Sequence, residues 1–399
     1  MAGGGRWNIG LMDIPAPTPL AARPTVALGC LGGFLPSGFM EEAITLGFAP
    51  VLLHHLHGEM GGPGDGPREV LAATRQALGK IAHTTAWGAG AVVATVEEAA
   101  AFATAGFTWF TFDLAGLVDH SAASMSLDRL DSAVVAAEDS GCYPQDWHGA
   151  FLDREWRTAS GRVLTLADEA LARTAVKFGR ALAHADQLQQ ALRTLWIGRG
   201  EPPDFELGFA GARTATSPDE FLFLTLESAR RGLNPVSIAP SLGFAWQPGA
   251  GFPGEIADLE SQLTALGEIS ALASMQKTGI HDAAGKSGIL PFARRVLGDR
   301  CHVDCGGEMW LEVLGRLADS EPQVFREWLA AAVEAFPFAA ADAAVAISED
   351  DIRSLPEVPD PALRETFLGH LHGRQLLLST FLHVMRGHPP LREAARRVM

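Results

Sequence analysis

The sequence predicts an α/β fold, a (β/α)8 barrel of the TIM type with an insertion after the fourth strand and a helical C-terminal extension. Eight short apolar runs alternate with stretches whose apolar residues recur at three- and four-residue spacing. Strands joined by helical crossovers argue for a parallel sheet, and a count of eight argues for its closure. Polar and metal-competent side chains collect at the C-terminal ends of these runs, where barrel enzymes build their sites. An open doubly wound sheet is the rival architecture.

The strands are expected at "TVALGC" (25–30), "PVLLHH" (50–55), "AVVAT" (91–95), "FTWFTFD" (107–113), "FELGFA" (205–210), "PVSIAP" (235–240), "MQKTGIH" (275–281) and "RCHVDC" (300–305). Between them "EEAAAFATAG", "DEFLFLTLESARRG" and "EIADLESQLTALGEISALAS" carry helical periodicity. Before the second of these, Thr216 or Ser217 can cap the helix, with Pro218 in its first turn. Residues 114–204 are too long for one crossover and read as an insertion holding the loop "DSGCYPQDWHG" and a long helix from about Leu164 to Trp196. Residues 1–23 read as a Gly- and Pro-rich arm, 24–320 as the barrel with its insertion, and 321–399 as helices packed outside it.

The 399 residues suffice for a large core. A formal net charge of −16, from 47 acidic and 31 basic residues, repels phosphate backbones and anionic lipid. Nucleic acid and membrane surfaces are therefore not expected partners, and an anionic ligand needs a local basic group. The N-terminal segment does not read as a signal peptide, and no apolar stretch is long enough to span a bilayer. Four sparse cysteines, Cys30, Cys142, Cys301 and Cys305, fit reduced thiols in a cytoplasm.

The expected strand ends carry His54 and His55, Asp113, Pro240, His281, and His302 with Asp304. His302 and Asp304, two apart on one strand, share a face. With His281 at the end of the preceding strand they form a candidate site for a divalent cation, since imidazole and carboxylate suit one. The bland alternative makes His302 a packed strand residue and Asp304 a helix cap. His55, His57 and Glu59 also share a face in extended geometry, but a solvated strand exit explains them. The glycine loops "GCLGGF" and "GEMGGPGDG" lack a Walker or dinucleotide pattern. Arg374 beside Gln375 can grip a carboxylate, with a surface salt bridge as the alternative. No Gly-x-Ser-x-Gly elbow is present.

In shared order, several segments resemble the tagaturonate epimerase family. "FATAGFTWFTFD", "TSPDEFLFLTLESARRGLNPVSIAPSLGF", "CHVDCGGEMWLEVLGRLADSEPQVFRE" and "GRQLLLSTF" are each similar to a family segment, from about residue 85 to 386. The resemblance implies a metal-dependent sugar-acid epimerase or isomerase acting next to a carbonyl. It implies metal ligation by His281 and His302, which would need a replacement ligand such as Asp304, Asp282 or His55, together with catalytic roles for Lys286 and Asp113 and substrate binding by Arg374 and Gln375. The family reads His-Ser-Gly-Ser-Asp-Lys where this chain reads His281-Asp282-Ala283-Ala284-Gly285-Lys286. Family histidines fall at Leu378 and Phe221, and a family Asp-Glu strand end falls near Ala210 and Gly211. These changes make a barrel that binds a sugar or sugar acid without turnover the alternative function. On the resemblance, Leu378 and Phe221 are expected at the barrel mouth, and Lys286 against an acidic ligand.

Overall fold

A computed structural model describes residues 14–398 apart from 22, 31–34, 36, 56–65, 213, 244–248, 251–255, 274–275, 287 and 343–346. Both glycine loops, and His57 with Glu59, fall wholly or largely outside the described residues. Four strands come first: β1 (Thr25–Gly29), β2 (Ala49–His55), β3 (Gly88–Val93) and β4 (Trp109–Asp113). A two-stranded hairpin, β5 (Trp156–Arg157) and β6 (Val163–Leu164), stands apart. Then follow β7 (Asp204–Gly208), β8 (Ser237–Ala239), β9 (Lys277–Ile280) and β10 (Cys301–Asp304). Setting the hairpin aside, the eight strands close into a parallel barrel in the order β1-β10-β9-β8-β7-β4-β3-β2. Each lies on one of the eight apolar runs.

The closed barrel excludes the open sheet. Its strands are buried on both faces, as parallel strands under helices must be. Val26 and Leu28 point outward to the core under the helices, while Ala27 between them joins Leu20, Ala49, Val51, Leu53 and Trp109 inside the barrel. Residues 14–21 run across the N-terminal end of the barrel. Trp87 donates from Nε1 to Pro15 O at 2.8 Å, and the amides of Leu20 and Ala21 donate to Asp204 Oδ2 at 2.5 and 2.9 Å.

Helices α1 (Ser37–Thr45), α2 (Pro67–Lys80) and α3 (Val96–Ala105) follow the first three strands. The insertion after β4 holds α4 (Leu127–Asp139), the hairpin and α5 (Asp168–Trp196), a helix of 29 residues. The helices α6 (Pro218–Arg231), α7 (Ile256–Ser270), α8 (Ile289–Leu297) and α9 (Gly306–Ser320) follow the later strands. Ser217 caps α6 through a capping box with Glu220, Pro218 sits in its first turn, and Gly232 in left-handed conformation ends it. Lys177 of α5 reaches Glu220 at 2.7 Å, which ties the insertion to that cap. The insertion helix therefore docks on the barrel through the group that starts α6.

The C-terminal extension comprises α10 (Pro322–Asp342), α11 (Glu349–Arg353), α12 (Leu363–Leu368), α13 (Leu371–Gly387) and α14 (Pro389–Val398). Its core of Phe325, Trp328, Leu363, Leu376, Phe381 and Val384 is separate from the barrel core and is continuous with α9 through Met309 and Val313. Phe381 stacks on Trp310 of α9 at 5.0 Å between ring centroids. This packing seats α13 against α9, which itself packs on β1, and so brings side chains of α13 to the C-terminal mouth of the barrel.

Candidate active site

Inside the barrel, polar residues occupy one level of the sheet. Thr111 of β4 pairs with Glu206 of β7, Glu206 with Ser237 of β8, and Ser237 with Lys277 of β9. Glu206 is fully buried, between Phe205 and Leu207 of β7. Its Oε1 lies 2.7 Å from His281 Nε2 and accepts from Thr111 Oγ1 at 3.3 Å, while Oε2 accepts from Ser237 Oγ at 2.6 Å. Oε2 is 3.8 Å from His302 Nε2. The space for this carboxylate depends on Gly279, where a Cβ would come within 2.7 Å of Glu206 Oε2 and of Ala239 Cβ.

His281 stands one residue beyond β9 and His302 within β10, with ring centroids 6.1 Å apart. Oxygen or nitrogen atoms of Glu206, His281 and His302 all lie within 4.8 Å of one another. The sequence expectation joined Asp304 to the two histidines; the structure converges Glu206 on them instead. Asp304 faces the same cavity, and its Oδ1 accepts from the amide of Gly306 in the first turn of α9 at 2.7 Å.

Two buried groups support the cluster from below. Thr25 Oγ1 is 2.8 Å from His302 Nδ1, and Lys277 Nζ donates to Thr25 Oγ1 at 3.2 Å. Trp109 stacks on His302 at 4.6 Å, and the Lys277 ammonium lies 5.1 Å from the Trp109 ring centre. Burial pushes Lys277 down to about 8 against the pull of Asp204 and Glu206. Burial also holds His302 down at about 4, a neutral imidazole at pH 7. For His281 burial opposes charge, but the Glu206 carboxylate beside it outweighs burial and raises it to about 10. Burial alone would raise Glu206. The imidazoles of His302 and His281, with hydrogen bonds from His281 and Ser237, hold it at about 2.

Two imidazoles and one carboxylate form a donor set that suits a divalent transition metal. The positions fit one: the ligand atoms converge, and hydrogen bonds of His302 Nδ1 with Thr25 and of Glu206 Oε2 with Ser237 orient two of the three groups from behind. A metal binds neutral imidazole, so it competes with the proton that Glu206 keeps on His281. Glu206 and Lys277 were missed in the sequence reading. Their signal is a lone charge inside a short apolar run, with Ser237 and Gly279 at matching levels of the neighbouring strands.

Above the cluster opens a cavity of about 570 Å³. Asp113, Ala210, Gly211, His281, Asp282 and Asp304 line it from the strand ends. Leu378, Ser379, Leu382, His383 and Arg386 of α13 close the other side. Leu378 thus borders the mouth, as expected. Phe221 does not; it is buried in the main core under α6. Phe221, Leu222, Phe223 and Leu224 are all fully buried, so the whole start of α6 is sunk in the main core.

Lys286, Arg374 and Gln375 are absent from the described lining. Lys286 is 2% exposed, and its Nζ donates to Asp282 O at 2.7 Å. Burial lowers its ammonium to about 8. The Arg374 guanidinium donates to the carbonyls of Gly249, Leu368 and Gly369 at 2.8, 3.3 and 3.4 Å, which ties the start of α13 to the loop at 249. Gln375 is fully buried. His54 is buried beside Thr74 Oγ1 at 3.3 Å, away from the cluster, and all four cysteines are buried free thiols. Among the described residues no helix is long and apolar enough to cross a membrane.

The fold and site can be set beside known proteins. Crystal structures of fructuronate-tagaturonate epimerase from Cohnella laeviribosi superpose with a TM-score of 0.81. The glycerol complex is 20% identical and the native form 21%, over 96% of this chain and 79% and 78% of theirs. At these identities the likeness is one of fold. The tagaturonate/fructuronate epimerase of Thermotoga maritima is 27% identical over 169 residues, 42% of this chain. That match spans about a third (34%) of the length of the curated relative. The family model described as tagaturonate epimerase matches residues 11–393, nearly the whole chain. This chain belongs to the tagaturonate epimerase family.

Proposed function

We propose that the protein is a sugar-acid epimerase that interconverts ketohexuronates of the tagaturonate and fructuronate type, with a divalent cation held by Glu206, His281 and His302. The observation that carries this reading is the convergence of those three ligand groups, one of which, His281, also lines a cavity of sugar size. Inversion at a carbinol carbon near a ketone proceeds by proton removal beside the carbonyl or by reversible carbon–carbon cleavage. Either route leaves negative charge on the former carbonyl oxygen. Bound at the three ligands, a divalent cation supplies the electrophile that takes up this charge.

The other roles fall to side chains of this chain. Asp113, at the end of β4, and His383, on α13, both line the cavity and are the candidates for moving protons there. Ser241 and Ser379 offer hydroxyls to the sugar's own hydroxyl groups. Leu378, Leu382 and Trp310 on the same lining limit water near the developing charge. Lys286 and Arg374 serve from behind the wall, where they hold backbone carbonyls of the loops that shape it. Gln375 packs behind the same helix face.

The test is incubation of the purified protein with tagaturonate and Mn²⁺, Co²⁺ or Zn²⁺, followed by NMR of the sugar carbons. Formation of fructuronate is expected, and it should vanish on chelation and in Glu206→Gln. Tight binding of tagaturonate with no conversion under any of the three ions would overturn the epimerase reading in favour of a sugar-acid binding protein.

A further inference from the structure

We infer that Arg386 of α13, flanked by His383 and Ser379, is the anchor for the ligand's carboxylate. The inference rests on the proposed ketohexuronate reading and assigns the end of the cavity that reads the acid. Ser379, Leu382, His383 and Arg386 recur at three- and four-residue spacing, so they form one stripe of α13, and all four line the cavity. Arg386 is the one arginine or lysine on the described lining. The strand-end part of the lining carries Asp113, Asp282 and Asp304, whose carboxyl groups do not favour an anion beside them. In a chain of net charge −16, a carboxylate entering this cavity meets complementary charge at α13 alone among the described side chains, apart from imidazoles.

A second observation falls on the same wall. His383 lines the cavity, and its Nδ1 is buried with no hydrogen-bond partner among the described residues. A buried polar atom without a partner carries a desolvation cost that a ligand oxygen can relieve. A guanidinium is a planar fork of donors matched to a carboxylate, and it can hold one beside its contacts to the protein. With the acid held at α13, the rest of the ketohexuronate extends toward Glu206, His281 and His302. The C-terminal extension thereby becomes part of the specificity apparatus, although the metal-competent residues all belong to the barrel.

The experiment is calorimetric titration of wild type, Arg386→Gln and Arg386→Lys with tagaturonate and with its neutral counterpart tagatose, in the presence of Mn²⁺. Loss of a hydrogen bond to a charged group corresponds to roughly 10- to 100-fold in affinity. Arg386→Gln should therefore bind tagaturonate about 10- to 100-fold more weakly and tagatose almost as wild type does. Arg386→Lys should recover part of the loss. An Arg386→Gln protein of unchanged melting temperature that loses affinity equally for both sugars, or for neither, overturns the anchor and leaves the epimerase reading standing. A wild type that binds tagatose as well as tagaturonate overturns the anchor too. A wild type that binds neither sugar overturns the ketohexuronate reading and the anchor with it.

Discussion

Thr25 and His302 are register partners on neighbouring barrel strands, and their side chains meet, with Oγ1 2.8 Å from Nδ1. Thr25 is fully buried, and Lys277 approaches the same oxygen from the far side. A metal on His302 Nε2 requires the ring proton on Nδ1, where Thr25 can accept it. Thr25→Val keeps the shape and removes the acceptor. We expect affinity for Zn²⁺, measured by competition with a chelating dye, to fall about 10- to 100-fold, with Thr25→Ser close to wild type. Equal affinities for Thr25→Val and wild type would show that packing against Trp109 alone holds the ring.

The pair Glu206–His281 sets a pH window for the metal-free protein. Glu206 is held from 4.5 down to about 2, so its contribution is present above 4.5 and is lost as pH falls through 2. His281 is raised from 6.5 to about 10, so its contribution is full below 6.5 and is lost as pH rises through 10. The two windows overlap between 4.5 and 6.5. Glu206→Gln breaks a buried pair, a change that costs about 3–5 kcal/mol. Urea unfolding should show the largest gap between wild type and variant near pH 5–6 and a shrinking gap toward pH 10. A gap that stays constant across that range would mean the pair is not ionised.

Much of this architecture is legible in the sequence. The eight apolar runs fall on the eight barrel strands because a parallel strand buried on both faces reads as continuous hydrophobicity. Ser217 and Pro218 mark the start of α6 because caps are local chemistry. The site is harder to read, since its members come from separate strands. Glu206 becomes a site residue only where β8 and β9 bring Ser237 and Gly279 around it. Arg374 reads as a carboxylate grip, but its guanidinium is taken up by the carbonyl of Gly249, 125 residues away, and by that of Leu368 just before its own helix. The placing of Leu378 at the cavity and of Phe221 in the core depends on how each helix seats and not on its composition.

Leu378 offers a direct test of the cavity's chemistry. Its side chain lies over Gly249 and Gly307, where a Cβ on either glycine would come within 3.0 Å of it, and it shares the lining with His281 and Asp304. Imidazole is a good ligand and leucine none. We expect Leu378→His to raise Zn²⁺ affinity by about tenfold or more, read by the same dye competition. Unchanged affinity with an intact fold would place the new ring beyond reach of the three ligands.

Lys286 separates a structural ammonium from a ligand-reading one. Its Nζ holds the carbonyl of Asp282, a residue in left-handed conformation at φ 53°, while the amide of Gly285 donates to Glu308 Oε1 at 2.6 Å. These bonds fix the turn that carries His281 into the cavity wall. Burial lowers Lys286 from 10.5 to about 8, so between those values the unfolded chain holds a proton that the folded chain has released. Stability therefore rises with pH across that interval. Lys286→Met removes the titration and the bond together. We expect the stability of wild type relative to Lys286→Met to grow as pH is raised from about 8 to 10.5, measured by urea unfolding. The ratio of tagaturonate to tagatose affinity should stay at the wild-type value. A collapse of that ratio in Lys286→Met, with unfolding curves parallel in pH, would move the acid-reading charge from α13 to this loop.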